Sequence, residues 1–134
     1  MGLVEELAAH IDSESTRFSL GGSLFLNSLP DEPNAATSII EYPGGPSMET
    51  LAGDLPKYDN SRVAITCRST SSVTARANAQ AAWVAAYKIT NESLSGTSWL
   101  RCAPLQTPFL LKRDEQNRVL FQFNCAAIRR TTST

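Results

Sequence analysis

Apolar and acidic side chains separate onto two faces of the N-terminal segment. Leu3, Leu7 and Ile11 recur every fourth residue, which places them on one side of a helix with 3.6 residues per turn. Two glutamates lie in the first turns, where the helix dipole favours negative charge. The pattern therefore predicts an amphipathic helix over residues 2–15.

An alanine-rich segment, residues 71–91, predicts a second and longer helix with Ser72 as its N-cap. The stripe that we expect to face the core consists of Val73, Ala77, Ala81, Val84, Ala85 and Ile89. Trp83 and Tyr87, four residues apart, form an aromatic ridge beside that stripe. Small side chains on the inner stripe would let this helix lie close to a sheet.

Several shorter segments alternate apolar and polar residues at the period of a β-strand. In residues 62–68, Val63, Ile65 and Cys67 point to one side and the intervening residues to the other. Similar segments predict strands over residues 23–29, 37–42, 98–106 and 119–128, with a shorter candidate at 109–112. This order predicts an α+β fold, an antiparallel or mixed sheet of about four to five strands with two helices packed on one face.

Residues 1–134 are expected to form a single domain, since a chain of this length has the size of one folding unit. Two segments stand apart from the predicted elements. The strand that ends at Tyr42 runs into Pro43-Gly44-Gly45-Pro46, which cannot continue a ladder of hydrogen bonds. Residues 43–61 are therefore predicted to be a long loop or arm that contacts a neighbouring subunit or another protein of the assembly, or one packed on its own domain. The segment 129–134 is predicted to be a flexible tail.

Composition and charge exclude several classes of function. Twelve basic and 13 acidic side chains give a net charge of −1, which offers no concentrated basic patch for a nucleic-acid backbone. No apolar run reaches the length of a membrane span, so no membrane partner is expected. Cys67, Cys102 and Cys125 form no C-x-x-C pair, and we expect them to be reduced and buried.

Candidate catalytic and metal-binding chemistry is sparse. His10 is the only histidine, and it lies beside the apolar stripe of the first helix, so a structural role is expected. The chain has no G-x-S-x-G, P-loop or G-x-G-x-x-G motif. The sequence therefore predicts no catalytic residues, no metal and no cofactor, and favours a protein that acts by binding or assembly.

Two groups of residues are candidates for such a contact. Arg68, Trp99 and Arg101 occupy strand positions that could share the more exposed face of the sheet, and arginine and tryptophan are enriched at protein interfaces. A solvated strand face is the alternative. Leu51, Leu55 and Tyr58 supply apolar anchors within the predicted arm.

The order of motifs adds a resemblance. A strand that ends in EYPGGP is followed by RVAITCR, the alanine-rich TARANAQAAW, the segment LSGTSWLRCAPLQTP, a DEQNR turn, VLFQFN and a closing IRR. This succession resembles bacteriophage minor capsid or tail-completion proteins of the tail-terminator type, most clearly from Ile39 to Arg130. Arg68 corresponds to the end of a family strand, and Arg118, Phe121 and Asn124 to a family hairpin. Residues 109–113 depart from it, because FLLKR is less polar than the approach to that hairpin should be.

The resemblance implies a structural virion protein without catalytic residues. It implies a ring, usually a hexamer, at the head-proximal end of a long tail. The ring would stop polymerisation of the tail tube and join the tail to the head-closure or connector protein. DNA would pass through it without specific binding, and assembly would take place in the host cytoplasm. Another neck component, such as a head-closure or tail-assembly factor, and a small ligand-binding domain remain alternatives.

Overall fold

A computed structural model of the protein describes residues 2–42 and 58–130. Its elements, in chain order, are α1 (Leu3–Glu14), β1 (Leu24–Leu26), β2 (Ala36–Tyr42), β3 (Tyr58–Ser69), α2 (Ser72–Tyr87), β4 (Thr90–Leu94), β5 (Thr97–Pro104), β6 (Phe109–Arg113) and β7 (Val119–Arg130). The predicted α+β class and both predicted helices are confirmed.

Within the described residues the sheet is mixed and has seven strands, six of them in the order β1-β2-β3-β7-β5-β4. Strand β6 pairs with the first residues of β7, and β5 pairs with the last ones. Of the strand pairs that the structure describes, β1–β2 is parallel and the others are antiparallel. The predicted count of four to five strands was too low, chiefly because the second helix ends at Tyr87 and leaves room for β4. Ser95 and Gly96, both with positive φ, form the tight turn that pairs β4 with β5.

One hydrophobic cluster lies between the two helices and one face of the sheet. The sheet contributes Val63, Ile65 and Cys67 as predicted, and each is fully buried. We call this side the inner face and the opposite side the outer face. His10 is buried at the junction of the two helices, where its Nε2 lies 3.0 Å from the carbonyl oxygen of Ala85.

The predicted inner stripe of α2 was only partly correct, because Ala85 and Ile89 are buried but the two valines are not. The helix buries Ala75, Ala79, Ala82, Ala85 and Ala86, whereas Val73 is 77% exposed and Val84 is 40% exposed. Alanines occur on all sides of this helix, so the hydrophobic period is weak. The structure places the smallest side chains against β3, β5 and β7, which lets the helix backbone approach the sheet closely.

The boundaries of the predicted arm and tail also change. Residues 58–61 belong to β3 and pair with β7, so Tyr58 lies in a strand instead of a loop. Arg129 and Arg130 end β7 instead of fraying. The remaining positions of the predicted arm, including Leu51 and Leu55, and those of the predicted tail lie outside the described residues.

All three cysteines are buried free thiols. Burial raises the pKa of Cys67 to about 12, although a hydrogen bond from Thr37 opposes the shift. A hydrogen bond with Cys102, together with burial, raises the pKa of Cys125. Because the thiolate is the reactive form, these thiols should be inert in the folded protein.

We therefore expect an alkylating reagent at pH 8 to label none of the three cysteines within minutes in the native protein. All three should react within the same time in denaturant. Mass spectrometry of the quenched samples measures the result, and rapid labelling of two sites in native buffer would contradict the burial described here.

Candidate contact surface

A loop crosses the outer face of the sheet because β1 and β2 are parallel neighbours. The chain leaves β1 at Leu26 and must return to the start of β2 at Ala36. Residues 27–35 make this return, and we call them the crossover loop.

Arg68 holds the crossover loop against the sheet. Its guanidinium donates to the carbonyl oxygens of Pro30 at 2.6 Å, Pro33 at 2.6 Å and Asn34 at 3.2 Å. Burial, together with the nearby cation of Arg118, lowers the pKa of Arg68. With only 3% of its surface exposed, Arg68 does not lie on an open face, so that part of the prediction was wrong.

Arg118, at the start of β7, anchors the same loop from a second side. It donates to the backbone carbonyl of Asp31 at 2.6 Å, to the Asp31 carboxylate at 2.9 Å and to the Asp114 carboxylate at 2.7 Å. These hydrogen bonds outweigh desolvation and raise the pKa of Arg118. Desolvation of Asp114 is likewise outweighed by hydrogen bonds from Arg118 and Gln116, which lower the pKa of its carboxyl group. The loop and the β6–β7 turn thus form one fixed unit.

A β-bulge in β5 separates Trp99 from Arg101. Trp99 pairs with Arg129 and Arg101 pairs with Ile128, so Leu100 is an extra residue opposite β7. The bulge interrupts the alternation, and Trp99 points into the core with no exposed surface while Arg101 is exposed on the outer face. The prediction that these two side chains share a face was wrong for this reason.

Trp99 belongs to a buried polar cluster that we call the Glu6 cluster. The Glu6 carboxylate, 1% exposed, accepts hydrogen bonds from the indole of Trp99 at 3.0 Å and from the hydroxyl of Thr97. Arg129 at the end of β7 donates to the same carboxylate at 2.9 Å. The cluster ties α1 to the ends of β5 and β7, and we assign it a structural role because its centre, Glu6 and Trp99, is buried.

The outer face beyond the crossover loop carries a different set of side chains. Tyr42 pairs with Arg62, and Tyr58 pairs with Arg130. Arg101 of β5 and Asn60 of β3 both pair with Ile128 of β7, so they lie on either side of that strand. We call these five outward-pointing residues the arginine–tyrosine face: Tyr42, Tyr58, Arg62, Arg101 and Arg130. They span four adjacent strands, or about 15 Å.

The arginine–tyrosine face is cationic. Neighbouring acidic residues of the strands, Glu41, Asp59 and Glu92, pair with Val63, Arg129 and Trp99, which places them on the inner side of their strands. Within residues 2–42 and 58–130, no carboxylate forms an ion pair with Arg62, Arg101 or Arg130. The face thus combines three guanidinium groups with two tyrosines. Arginine and tyrosine are among the side chains most enriched at protein interfaces.

Two of the predicted contact residues, Tyr58 and Arg101, therefore lie on one surface. Sequence reasoning missed Tyr42, Arg62 and Arg130. Strand alternation could have indicated Arg62, because residues two apart in a strand point to the same side. Arg62 therefore shares the outward side of β3 with residues 60 and 64. Arg130 was missed because the last strand was predicted to end too early.

Other kinds of site find little support in the described part of the chain. No group of three His, Cys, Asp or Glu side chains there lies close enough to hold a metal ion. None of the described helices has both the length and the apolar composition needed to cross a membrane.

A small α+β protein with a fixed scaffold and a partly exposed cationic, aromatic face has the features of an assembly component. The sequence profile of the family described as bacteriophage tail terminator protein matches residues 11–131. The chain belongs to this family, which identifies it as a structural phage tail protein and confirms the resemblance.

The fold recurs in a solved virus-like particle. A chain from the structure titled "Virion of native gene transfer agent (GTA) particle" superimposes with a TM-score of 0.67 at 16% identity, over 96% of this chain and 95% of that chain. At this identity the likeness concerns the fold alone. No curated protein sequence matches the chain.

Proposed function

We propose that the protein is a non-enzymatic tail terminator, assembled in the host cytoplasm. In the virion it forms a ring, most simply a hexamer, at the head-proximal end of the tail. The ring stops polymerisation of the tail tube and binds the head-closure or connector protein. DNA passes through it without specific binding. The family match over residues 11–131 is the observation that carries this proposal.

The geometry of the surface supports an assembly role. Arg68 and Arg118 hold the crossover loop in one conformation, and the Glu6 cluster holds the far end of the sheet. The arginine–tyrosine face is carried by strands β2, β3, β5 and β7 of this scaffold. A preorganised surface loses little conformational entropy when it binds, which favours stable contacts between repeated subunits.

Deletion of the gene tests this function in the phage or phage-like particle that encodes the chain. Electron micrographs of the lysate should show filled heads without tails, and free tails with a broad distribution of lengths. A plasmid copy of the wild-type gene should restore joined particles with one tail length. Free tails of normal, uniform length would instead favour a head-closure role, and joined particles would contradict both functions.

A further inference from the structure

The exposed side of α1 is acidic, although the helix layer as a whole also exposes the cations Arg17, Arg76 and Lys88. Helix α1 contains four carboxylates and no lysine or arginine. Glu5 and Asp12 are exposed, and they accept hydrogen bonds only from the backbone N–H groups of Gly2 at 2.9 Å and Leu20 at 3.4 Å. Among the described residues no cation pairs with either of them. We call Glu5 and Asp12 the acidic face.

The two faces point away from each other. The apolar side of α1 packs in the core against the inner face of the sheet, so its exposed side points outward from the helix layer. The arginine–tyrosine face points outward from the opposite side of the sheet. One copy can therefore use both faces at once, with two different neighbours.

Opposite charges on opposite faces are complementary between copies of the same chain. Docking of one face on the other joins two different patches, and such heterologous contacts repeat to give a ring or an open filament. A twofold dimer would place like charges together, which costs several kcal/mol. The charge distribution thus favours head-to-tail association.

A nucleic acid is a less suitable occupant of the cationic face. Its three arginines stand among exposed or half-buried apolar residues, including Ile40, Leu100 and Ile128. A mixture of arginine, tyrosine and aliphatic surface is typical of a protein interface, whereas phosphate-backbone binding requires a denser basic footprint.

We propose that the arginine–tyrosine face of one subunit docks on the acidic face of α1 in the next subunit, so that the occupant of each face is a second copy of this chain. This inference rests on the proposed ring and names the surfaces that close it. Arg101 and Arg130 supply the charge on one side of the contact, and Glu5 and Asp12 on the other.

Charge exchange tests the contact with four variants in the deletion strain. The front variant is Arg101→Glu with Arg130→Glu, and the back variant is Glu5→Lys with Asp12→Lys. The swap variant carries all four changes. The control is Lys112→Glu with Arg113→Glu, an equal change of charge on two exposed residues of β6.

Front and back variants should each lower the titre of functional particles by about 100-fold or more, because each reversal sets like charges against one another. The swap variant should recover to within about tenfold of wild type, since both faces are reversed together. The control should stay within the same range of wild type. Co-expression of the front and back variants should also restore the titre, because reversed faces then meet reversed faces.

Every other pattern overturns the inference. If the front variant lowers the titre and the swap variant does not restore it, a different protein binds the cationic face. If the front variant forms normal rings but its particles fail at a later step, the cationic face binds a nucleic acid instead. A front variant that melts several degrees lower as a purified protein would mean that residues 43–57 of the same chain cover the face, and an unaffected front variant would mean that the face is unused.

Failure of the inference can be distinguished from failure of the proposed function. If gene deletion gives unjoined heads and tails of variable length while the swap fails, only the contact is wrong. If deletion leaves joined particles with uniform tails, the terminator function is itself wrong.

Discussion

Substitution of Glu6 by alanine should lower the free energy of unfolding by about 3–5 kcal/mol, the cost of removing one partner from a buried ion pair. The carboxylate is 1% exposed and accepts from Thr97, Trp99 and Arg129. Its loss leaves a buried indole N–H and a largely buried guanidinium without their acceptor, and each unsatisfied group adds to the cost. Denaturant unfolding of the purified protein measures the change.

Two further variants separate the charge of Glu6 from its shape. Glu6→Gln keeps a carbonyl acceptor of the same size, so it should lose less stability than the alanine variant. Glu5→Ala, on the exposed side of the same helix, should cost no more than about 1 kcal/mol, because it removes only a cap at Gly2. A Glu6→Ala variant as stable as Glu5→Ala would show that the Glu6 cluster does not hold α1 to the sheet.

Substitution of Arg68 by alanine should have the second largest effect, a loss of about 3 kcal/mol. Three carbonyl oxygens of the crossover loop lose their donor, and a hydrogen bond to a charged group contributes about 1.5–3 kcal/mol. The effect should concentrate in residues 27–35, where backbone amides should exchange with solvent faster while those of β7 keep their relative protection. Hydrogen exchange read by mass spectrometry locates it.

Two control variants accompany Arg68→Ala. One keeps the positive charge at position 68, and the other removes a different arginine of the same strand. Arg68→Lys should recover only part of the stability, because one ammonium group cannot match the fork that reaches three acceptors. Arg62→Ala, six residues away on the same face of β3 and outside the crossover loop, should change the stability by less than about 0.5 kcal/mol. Equal losses at both positions would refute the assignment of Arg68 as the clamp of the loop.

Strand alternation and helix periodicity predict much of this fold where they are strong. The burial of Val63, Ile65 and Cys67, and that of the apolar side of α1, follow from patterns in which apolar and polar residues differ sharply. Helix α2 lacks that contrast, because alanine is compatible with either side. Its orientation is decided by the volume available above β7, which no local pattern records.

The contact surface was only partly predictable because three of its determinants are long-range. The bulge at Leu100 puts Trp99 inside and Arg101 outside, although regular alternation would place them together. The parallel pairing of β1 with β2 sends a loop over Arg68 and removes it from solvent. The extension of β7 to Arg130 depends on its pairing with Tyr58, which is 72 residues earlier in the chain.

We propose above all that this chain forms the ring that ends the tail at its head-proximal side. A cryo-electron microscopy reconstruction of the head–tail junction in the native particle tests it most directly. The account predicts a closed ring of this fold between the last ring of the tail tube and the connector, with six copies related by rotation about the tail axis. A single copy at that level, or density for the chain at the distal tip of the tail, would contradict it.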